Sequence, residues 1–386
     1  MKKILFYLLA CLSLQVNANS VLVFNGSNDD TILDSNNQSK FGKDEGNKLP
    51  SPSNDKNGIK ESNKKSARFF QYYPNGKDIV CINGDNRYTR ALYGTHTLYR
   101  LETSDRPIFA SYNKAKSKNF RFYIVSENNV LRLDSTSYCE SRYSGGRRSY
   151  IVKDKSWGDA EVRIVALASQ FGEGALWQII TKGFSPKAKL MVKMCQTAKT
   201  KMMREGDYGL EPRSSYEASA DEKDLVTLEW NASGETYIVF EDPGKIENIT
   251  KKSGRILFEK EEKALKDITS GLQFSTPDDF INTLGANLSA AADGLWDDST
   301  WLHGCIGWRM PLCGWRAAYV GDVLGWNARA ISHFEAYAKS QVTNVKPIYP
   351  HPSQDSTNNL ARGEEKCGTQ MYSNGYICRY PNKNDA

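Results

Sequence analysis

Short runs of alternating apolar and polar residues fill the chain from Arg68 to about residue 260, and they constrain its fold more than any other feature. Alternation of this kind places the apolar side chains on one face of an extended strand. Turn signals separate the runs, including Pro74-Asn75-Gly76, whose Asn-Gly pair suits a tight hairpin. Because no long helical pattern interrupts them, the runs predict a large β-sandwich. The predicted strands cover residues 69–73, 79–83, 107–112, 120–125, 130–134, 150–153, 162–168, 176–181, 189–195, 225–230, 236–241 and 255–259.

Helical spacing replaces this alternation near residue 260. Thr276 is the predicted N-cap of one helix, with Pro277 at its first position and acidic residues in its first turn. Apolar residues then recur every three or four positions from Phe280 to Leu295. A second helix is predicted over residues 315–324. A third is capped by Asn327 and directs three side chains inward: Ile331, Phe334 and Tyr337.

The first 18 residues are typical of an export signal. Lys2 and Lys3 precede a short apolar core at residues 4–10, and Val16-Asn17-Ala18 offers small residues for cleavage. An alternative is a lipoprotein signal in which Cys11 carries the lipid. Both alternatives predict a protein exported to the periplasm or the cell surface. No apolar run approaches the roughly 20 residues that a membrane-spanning helix needs, so a transmembrane protein is not expected.

A polar, low-complexity tether is predicted over residues 19–66, because this composition cannot bury enough apolar surface to offset its ordering entropy. The remaining chain divides into a β-sandwich over residues 67–262, a linker helix over 263–290 and a helical domain over 291–386. The predicted fold class is therefore mixed, with β structure first and helices second.

Charge and motifs exclude several classes of protein. The net charge of +6 is spread among many acidic residues without a basic stripe, so nucleic acid is not an expected partner. The chain has no HExxH, P-loop, Rossmann glycine pattern or GxSxG motif, and these absences argue against a metalloprotease, NTPase, dehydrogenase or serine hydrolase. No cofactor or metal site is predicted. The cysteines form no CxxC pair and are expected to be mostly free, with Cys305/Cys313 and Cys367/Cys378 as the first pairs to test for bridges.

Residues 294–326 carry the densest set of side chains suited to a ligand. Five of the eight tryptophans lie here, together with acidic and basic residues. Sugar sites use such a mixture, because aromatic rings stack on sugar C–H faces while carboxylates and guanidinium groups bind hydroxyls. On a helix over residues 315–324, Trp315, Tyr319 and Asp322 share one face. The candidate binding residues of this stretch are Trp296, Asp297, Trp301, His303, Arg309, Trp315, Arg316 and Asp322.

Each of these side chains also has a structural interpretation. Tryptophans at helical spacing commonly serve packing, and Asp297 can cap the loop that follows it. His303 alone is more typical of an interior histidine than of a ligand. Density favours the functional interpretation, because so many polar groups are costly to bury without partners.

A second cluster follows the helical patterns. His351 and Asp355 are predicted members of a sugar-binding loop. Asp322 and Glu364 are the weak candidates for a catalytic carboxylate, although Glu364 beside Glu365 is equally consistent with a solvated charged segment.

The segments WLHGCIGWRMPLCGWRAAYVGDVLGWNARAISHFEAYAKSQVTNV and NNLARGEEKCGTQMYSNGYICR resemble secreted glycosidases of polysaccharide-degrading gut bacteria. Those proteins join an N-terminal β-sandwich to a six-hairpin (α/α)6 barrel, and several are known only as domains of unknown function. A WxGD-like pattern is also similar to rhamnosidase-type barrels. The resemblance implies that residues 301–326 line a sugar pocket, with Arg309, Arg316 and Asp322 contacting hydroxyls.

The chain departs from that family in length. A six-hairpin barrel needs twelve helices, or roughly 200 residues and more, whereas only residues 291–386 follow the predicted linker helix. The expected fold is therefore a β-sandwich followed by the first helices of an incomplete toroid, with an exposed hydrophobic edge. Glycoside hydrolysis generally needs two carboxylates, and this chain is expected to lack one of them.

Three functions follow as expectations. The first is a glycoside hydrolase by descent, acting on arabinoside- or rhamnoside-like side chains of a polysaccharide and largely inactive in this form. The second is a non-catalytic protein that binds an oligosaccharide or polysaccharide. The third is a polysaccharide lyase, which is less favoured because lyases surround an acidic sugar with more basic residues than Arg309 and Arg316.

Overall fold

The computed structural model describes residues 72–113, 117–127, 129–199, 213–304 and 315–341, and five further positions at 354–355, 360–361 and 377. The predicted export signal and polar tether lie outside the described residues. So do the cysteine pairs proposed for bridges.

Antiparallel strands are the most abundant secondary structure of the described chain. They are β1 (Tyr73–Asn75), β2 (Asp78–Ile82), β3 (Tyr88–Tyr93), β4 (Arg100–Ser104), β5 (Ile108–Tyr112), β6 (Lys118–Ser126), β7 (Asn129–Arg132), β8 (Tyr138–Ser144), β9 (Arg147–Lys153), β10 (Glu161–Ala168), β11 (Gly174–Lys182), β12 (Lys189–Gln196), β13 (Val226–Asn231), β14 (Gly234–Glu241), β15 (Lys245–Ile249), β16 (Gln354–Asp355) and β17 (Leu360–Ala361).

Two large sheets are built from these strands. The first has the order β1-β2-β8-β9-β10-β11-β14-β15, and the second has the order β13-β12-β6-β5-β4-β3 with β7 also paired to β6. β16 and β17 form a separate two-stranded ribbon. The predicted β-sandwich is confirmed in its essential feature, a pair of antiparallel sheets.

An aromatic core lies between the two sheets. Trp177 of β11 is fully buried, and its ring centroid lies 5.6 Å from that of Phe109 and 5.0 Å from that of Phe120. Both phenylalanines belong to the second sheet, so these contacts join the sheets directly. Burial of each such side chain contributes about 1.5–3 kcal/mol. The alternating pattern predicted this core because each inward position falls on every second residue.

Several strands were missed by the sequence prediction, and β4 shows the physical reason. All five residues of β4 are buried, including Arg100 and Glu102, which form an ion pair. A strand that buries charged residues as well as Leu101 does not show the apolar–polar alternation on which prediction relied. The strands β3, β8 and β15 were missed as well.

Six helices accompany the sheets among the described residues. They are α1 (Arg213–Tyr216), α2 (Lys251–Thr269), α3 (Asp279–Asn282), α4 (Leu284–Gly294), α5 (Trp315–Leu324) and α6 (Asn327–Lys339), and two short 3-10 turns lie at Leu133–Ser135 and Lys155–Trp157. The helix predicted over 315–324 is confirmed. The linker helix predicted over 263–290 is interrupted, because α2 ends at Thr269 and α3 begins at Asp279.

The strand predicted over residues 255–259 is wrong, because these residues belong to helix α2. The side chain of Thr250 caps the helix by accepting a hydrogen bond from the backbone N–H of Ser253. Phe258 and Leu265 are buried on one face and contact the outer side of the first sheet. The two residues lie seven positions apart, which is two helical turns. This helical spacing is a stronger signal for a helix than the short alternating run is for a strand.

The predicted helical toroid is wrong, because the described helices cover the sandwich instead of forming a ring of hairpins. Helix α2 lies on β11 and β14, and α4 packs against α2 and β3. The outer face of the first sheet presents Leu176 and Val239, whose apolar surface the helix removes from water. Helical spacing predicted the later helices, near residues 280–295, 315–324 and 327–337, but it contains no information about which surface they cover.

Two details of the later helices also differ from prediction. Asp278, not Thr276, caps α3, since its carboxylate accepts a 2.8 Å hydrogen bond from the N–H of Phe280. In α6, Tyr337 is buried as predicted, but Ile331 and Phe334 are exposed. Ala330 and His333 share the buried stripe with Tyr337, because positions three and seven apart lie on one helical face.

The helical layer exposes an unusual number of large apolar side chains. Residues four apart on α4, and three or four apart on α5 and α6, point away from the sandwich. These residues are Phe280, Ile281, Leu284, Leu288, Tyr319, Val323, Ile331 and Phe334. Within the part of the chain that the structure describes, no helix is long and apolar enough to cross a membrane.

Candidate functional site

Trp296 and Trp301 pack against each other inside the helical layer. They form an isolated antiparallel bridge, and their ring centroids are 4.8 Å apart at an interplanar angle of 60°. Only 5% of Trp296 and 2% of Trp301 is exposed. Gly321 of α5 lies so close that an added Cβ would stand 2.7 Å from the Trp301 ring. Neither indole therefore offers a free face for a sugar in this conformation.

The other predicted site residues are dispersed. The Asp297 carboxylate caps its own loop, accepting hydrogen bonds from the N–H groups of Ser299 (3.1 Å) and Thr300 (2.6 Å). His303 and Asp322 are exposed. Trp315 and Arg316 begin α5, and Asp355 belongs to β16, but their side chains lie outside the described part of the structure. Arg309, His351 and Glu364 are outside the described residues altogether.

A group of four charged side chains joins the sandwich to the helices, and we call it the His96 cluster: His96, Asp293, Asp298 and Arg329. His96 Nδ1 lies 2.5 Å from Asp298 Oδ1, and its Nε2 lies 3.2 Å from Asp293 Oδ1. The Arg329 guanidinium donates to the same Asp293 oxygen at 2.8 Å. One buried carboxylate oxygen is thus shared by two cationic side chains.

Four different elements bring the His96 cluster together. His96 lies in the loop between β3 and β4, Asp293 in the last turn of α4, and Arg329 in the first turn of α6. Asp298 follows α4 with a φ of 69°, a conformation that aspartate tolerates better than most residues. The end of α4 reaches β3 because Gly294 has no side chain, and a Cβ there would stand 2.6 Å from the Tyr93 ring.

The two carboxylate neighbours of His96 favour its protonated form. Burial alone would lower the pKa of His96, but the hydrogen bonds and negative charges of Asp293 and then Asp298 outweigh it and raise the pKa. Geometry leads to the same conclusion, since only the imidazolium can donate from both ring nitrogens. With His96 protonated, the cluster contains two cations and two carboxylates.

Aromatic rings support the cationic side of the cluster. The Arg329 guanidinium lies 4.3 Å from the ring centroid of Trp326 and 5.5 Å from that of Trp296. Such cation–π contacts contribute about 0.5–2 kcal/mol each, with the larger values at desolvated sites. The tryptophans predicted as sugar platforms thus help to position Arg329, which in turn anchors Asp293.

The cluster is poorly arranged for hydrolysis of a glycosidic bond. In glycosidases the two carboxyl groups flank the scissile bond, with about 5–9.5 Å between them. Here both carboxylates face a single imidazole ring, which occupies the space between them. Among the described residues, no group of three or more His, Cys, Asp or Glu side chains is arranged to hold a metal ion.

Two cavities lie elsewhere, beside α2. One of about 310 Å³ is bounded by the β10–β11 turn and contains Phe171, Lys260 and Glu261. Glu261 is already engaged there, accepting from Ser169 Oγ at 2.7 Å and from the Gln170 N–H at 2.6 Å. The other, of about 260 Å³, lies between the β8–β9 hairpin and α2. Both cavities are gaps in the packing between α2 and the first sheet, and neither is lined by a residue of the His96 cluster.

Of the four residues of the His96 cluster, only Asp298 lies in the tryptophan-rich segment that the sequence singles out. Asp298 lies in the tryptophan-rich stretch, whereas His96 comes from a loop 202 positions earlier. No local pattern around His96 distinguishes it from a surface histidine. Buried His333, whose Nδ1 accepts a 3.2 Å hydrogen bond from the Trp301 N–H, was likewise not anticipated.

Fold and site together define an antiparallel two-sheet sandwich with a helical layer fastened by an ionic cluster. Residues 116–287 match a family described only as a domain of unknown function (DUF4450). The match runs from the start of β6 into α4 and covers less than half of the chain. No curated protein matches the sequence.

Proposed function

We propose that the protein binds carbohydrate without hydrolysing it, and that sugar hydroxyls contact the exposed side of the His96 cluster. The observation that carries this proposal is the His96–Asp298 pair. Asp298 has 77% of its side chain exposed, yet its carboxylate is oriented by a charged hydrogen bond from His96. A fixed carboxylate is suited to accept hydrogen bonds from sugar hydroxyls, which are roughly twice as strong when the acceptor is charged.

Two further features support a saccharide ligand. Trp326 is half-buried beside Arg329, and exposed His303 follows the Asp297 loop closely in sequence. The resemblance of residues 301–345 and 358–379 to secreted glycosidases points to the same ligand class. Arabinose- and rhamnose-containing oligosaccharides are therefore the first ligands to test, with the protein placed in the periplasm or at the cell surface.

Binding is favoured over catalysis by the chemistry of the cluster. A hydrolase needs two carboxylates on either side of the bond, and the imidazolium of His96 stands between the two that are present. A lyase needs a neutral base, and the raised pKa of His96 favours its protonated form.

The proposal is tested by glycan-array screening of the full chain, followed by calorimetric titration of each positive oligosaccharide. We expect Asp298→Asn to weaken binding about tenfold or more, because hydrogen bonds to charged groups contribute about 1.5–3 kcal/mol. Asp159→Asn is the matched control, since it removes the same charge from an exposed position in the sandwich. Equal affinities of the two variants, or no glycan bound at millimolar concentration, would refute the proposal.

Product analysis separates the enzymatic alternatives. Incubation with aryl glycosides and with uronic-acid polysaccharides is expected to release neither aglycone nor unsaturated sugar. Turnover that is abolished by Asp298→Asn or Asp293→Asn would show that the cluster is catalytic after all.

A further inference from the structure

We propose that His96 is a pH-dependent latch. The imidazolium form of His96 fastens the loop after α4 to the sandwich, and loss of one N–H proton releases that loop at Asp298. Release of the loop is a property separate from sugar binding, and it requires no ligand. The latch joins residues about 200 positions apart, so its state decides whether the segment around Asp298 is tied to the β3–β4 loop.

The hydrogen-bonding capacity of imidazole is the basis of the latch. Both ring nitrogens face carboxylate oxygens, at 2.5 Å and 3.2 Å. The imidazolium has two N–H donors and satisfies both contacts. Neutral imidazole has one donor and one lone pair, so one contact would then set a lone pair against a carboxylate oxygen. That arrangement is repulsive, and one of the two contacts must open.

Asp298 is the partner that opens. The Asp293 side chain is only 5% exposed and also accepts the 2.8 Å hydrogen bond from Arg329, so it has no access to replacement water. The Asp298 side chain is 77% exposed and can exchange His96 for solvent at little cost. Its φ of 69° adds local strain that release of the loop would relieve.

Charged side chains among the described residues surround His96 and influence its protonation. Asp293 faces it from α4 and Asp298 from the following loop, while Arg329 of α6 acts through Asp293. Residues 94–99 of its own loop carry no other charged side chain. The neighbouring β10–β11 turn, joined through the Thr95 N–H and the Ser169 carbonyl at 3.0 Å, brings Glu261, which Ser169 and Gln170 already engage.

The direction of the pH dependence follows from the raised pKa of His96. The latch is fully closed below the pKa of an unperturbed histidine, which is about 6.5. It opens as the pH rises through the higher pKa of His96 in the folded protein. The maximal change in the opening equilibrium is tenfold for each unit by which that pKa exceeds the ordinary value.

The test is hydrogen exchange of the ligand-free full chain, read at the Ser299 and Thr300 amides, together with NMR titration of the histidines. We expect His96 to titrate above the ordinary histidine pKa of about 6.5, and the protection of both amides to be lost over the same pH range. His303→Gln is the matched control, because it removes an exposed imidazole near the same loop, and the step should persist in it.

Two variants make the result decisive. His96→Gln should abolish the pH step in amide protection. Asp298→Asn should abolish it too, because an amide can donate to the lone pair of neutral imidazole as well as accept from the imidazolium, and this variant keeps the histidine signal. A His96 that titrates at or below pH 6.5, or a step that survives in either variant, would overturn the latch; glycan binding that Asp298→Asn still weakens would leave the proposed function standing.

Discussion

At the scale of single residues, Arg148 is the most demanding side chain in the sandwich because its charge is completely buried. Its Nη2 donates to the Ser104 carbonyl at 3.1 Å, to Asp105 Oδ1 at 3.3 Å and to Ser141 Oγ at 3.1 Å. A buried charge is tolerated only when its partners are complete, and the loss of one partner leaves the other uncompensated.

Replacement of Arg148 by Met should therefore lower the free energy of unfolding by about 3–5 kcal/mol, since the Asp105 carboxylate stays buried without its cation. Urea denaturation of the full chain measures the change. Arg147→Met is the control, because Arg147 is partly exposed and its ion pair with Glu262 contributes at most about 1 kcal/mol. The double change Arg148→Met with Asp105→Asn should recover part of the loss. Equal losses at positions 147 and 148 would contradict this account.

The same scale shows what sequence alone could supply about the site. Composition singled out the segment that contains Trp296 and Asp298, and a ligand-binding role for that segment stays a prediction. Their roles could not be predicted, because whether an indole stacks on a sugar or on another indole depends on packing between α4, α5 and α6. The partner of Asp298 is His96, and no local rule connects two positions separated by 202 residues.

At the scale of secondary-structure elements, Glu235 fastens α2 to the first sheet. Its carboxylate accepts a 2.6 Å hydrogen bond from the Tyr237 hydroxyl and a 2.9 Å bond from Gln178. Lys251 and Arg255 approach it from the first turns of α2. The Tyr237 hydrogen bond is the largest cause of a fall in the pKa of Glu235 to about 2, and burial opposes it.

A lowered pKa gives a defined pH window for the attachment of α2. The stabilisation is fully present above the ordinary pKa of about 4.5 and is lost as the pH falls toward about 2. We expect the stability of the unmodified chain to decline more steeply over this range than that of Glu235→Gln, measured by denaturant unfolding at each pH. Glu247→Gln, which alters an exposed ion pair on β15, is the control and should follow the unmodified chain. Parallel curves for all three proteins would rule out this role for Glu235.

Burial pattern alone did not decide which strands were predicted, since β5 is buried throughout and was found whereas β8 alternates and was missed. Strands such as β10 alternate between buried and exposed positions and were found, whereas β4 is buried throughout and was missed. The error at residues 255–259 has a related cause, because Ile256 and Phe258 alternate over five residues while their helical partners lie further along the chain. The predicted N-cap of α3 was correct to within two residues, because Asp278 caps the helix where Thr276 was expected to do so.

At the scale of the whole molecule, the helical layer leaves much apolar surface in water. Leu284 and Leu288 are 40% and 49% exposed on consecutive turns of α4, and similar residues lie on α5 and α6. Monomeric proteins rarely expose large contiguous apolar patches, and each Å² left in water costs about 25 cal/mol. The sequence predicted such exposure but not the arrangement of helices on the sandwich.

The combined change Leu284→Gln and Leu288→Gln should reduce the fluorescence of an apolar dye and the concentration-dependent association of the chain. Light scattering over a dilution series measures the second effect. Stability should change by less than about 1 kcal/mol, because both side chains are already hydrated. Ile256→Gln provides a control at an exposed position on α2. If the control reduces dye binding as much as the double variant, the apolar surface is not concentrated on α4.

The strand order of the two sheets has a consequence for how this chain can be divided. The family match begins at residue 116, after β5, yet β5 pairs with β6 and β2 pairs with β8. A polypeptide cut at that boundary would lose three strands of the second sheet and two of the first, and would present the bare backbone of β6 and β8 to other molecules. The matched segment of this chain is therefore not expected to fold on its own, because the N-terminal strands cover the edges of β6 and β8 that would otherwise be open to association.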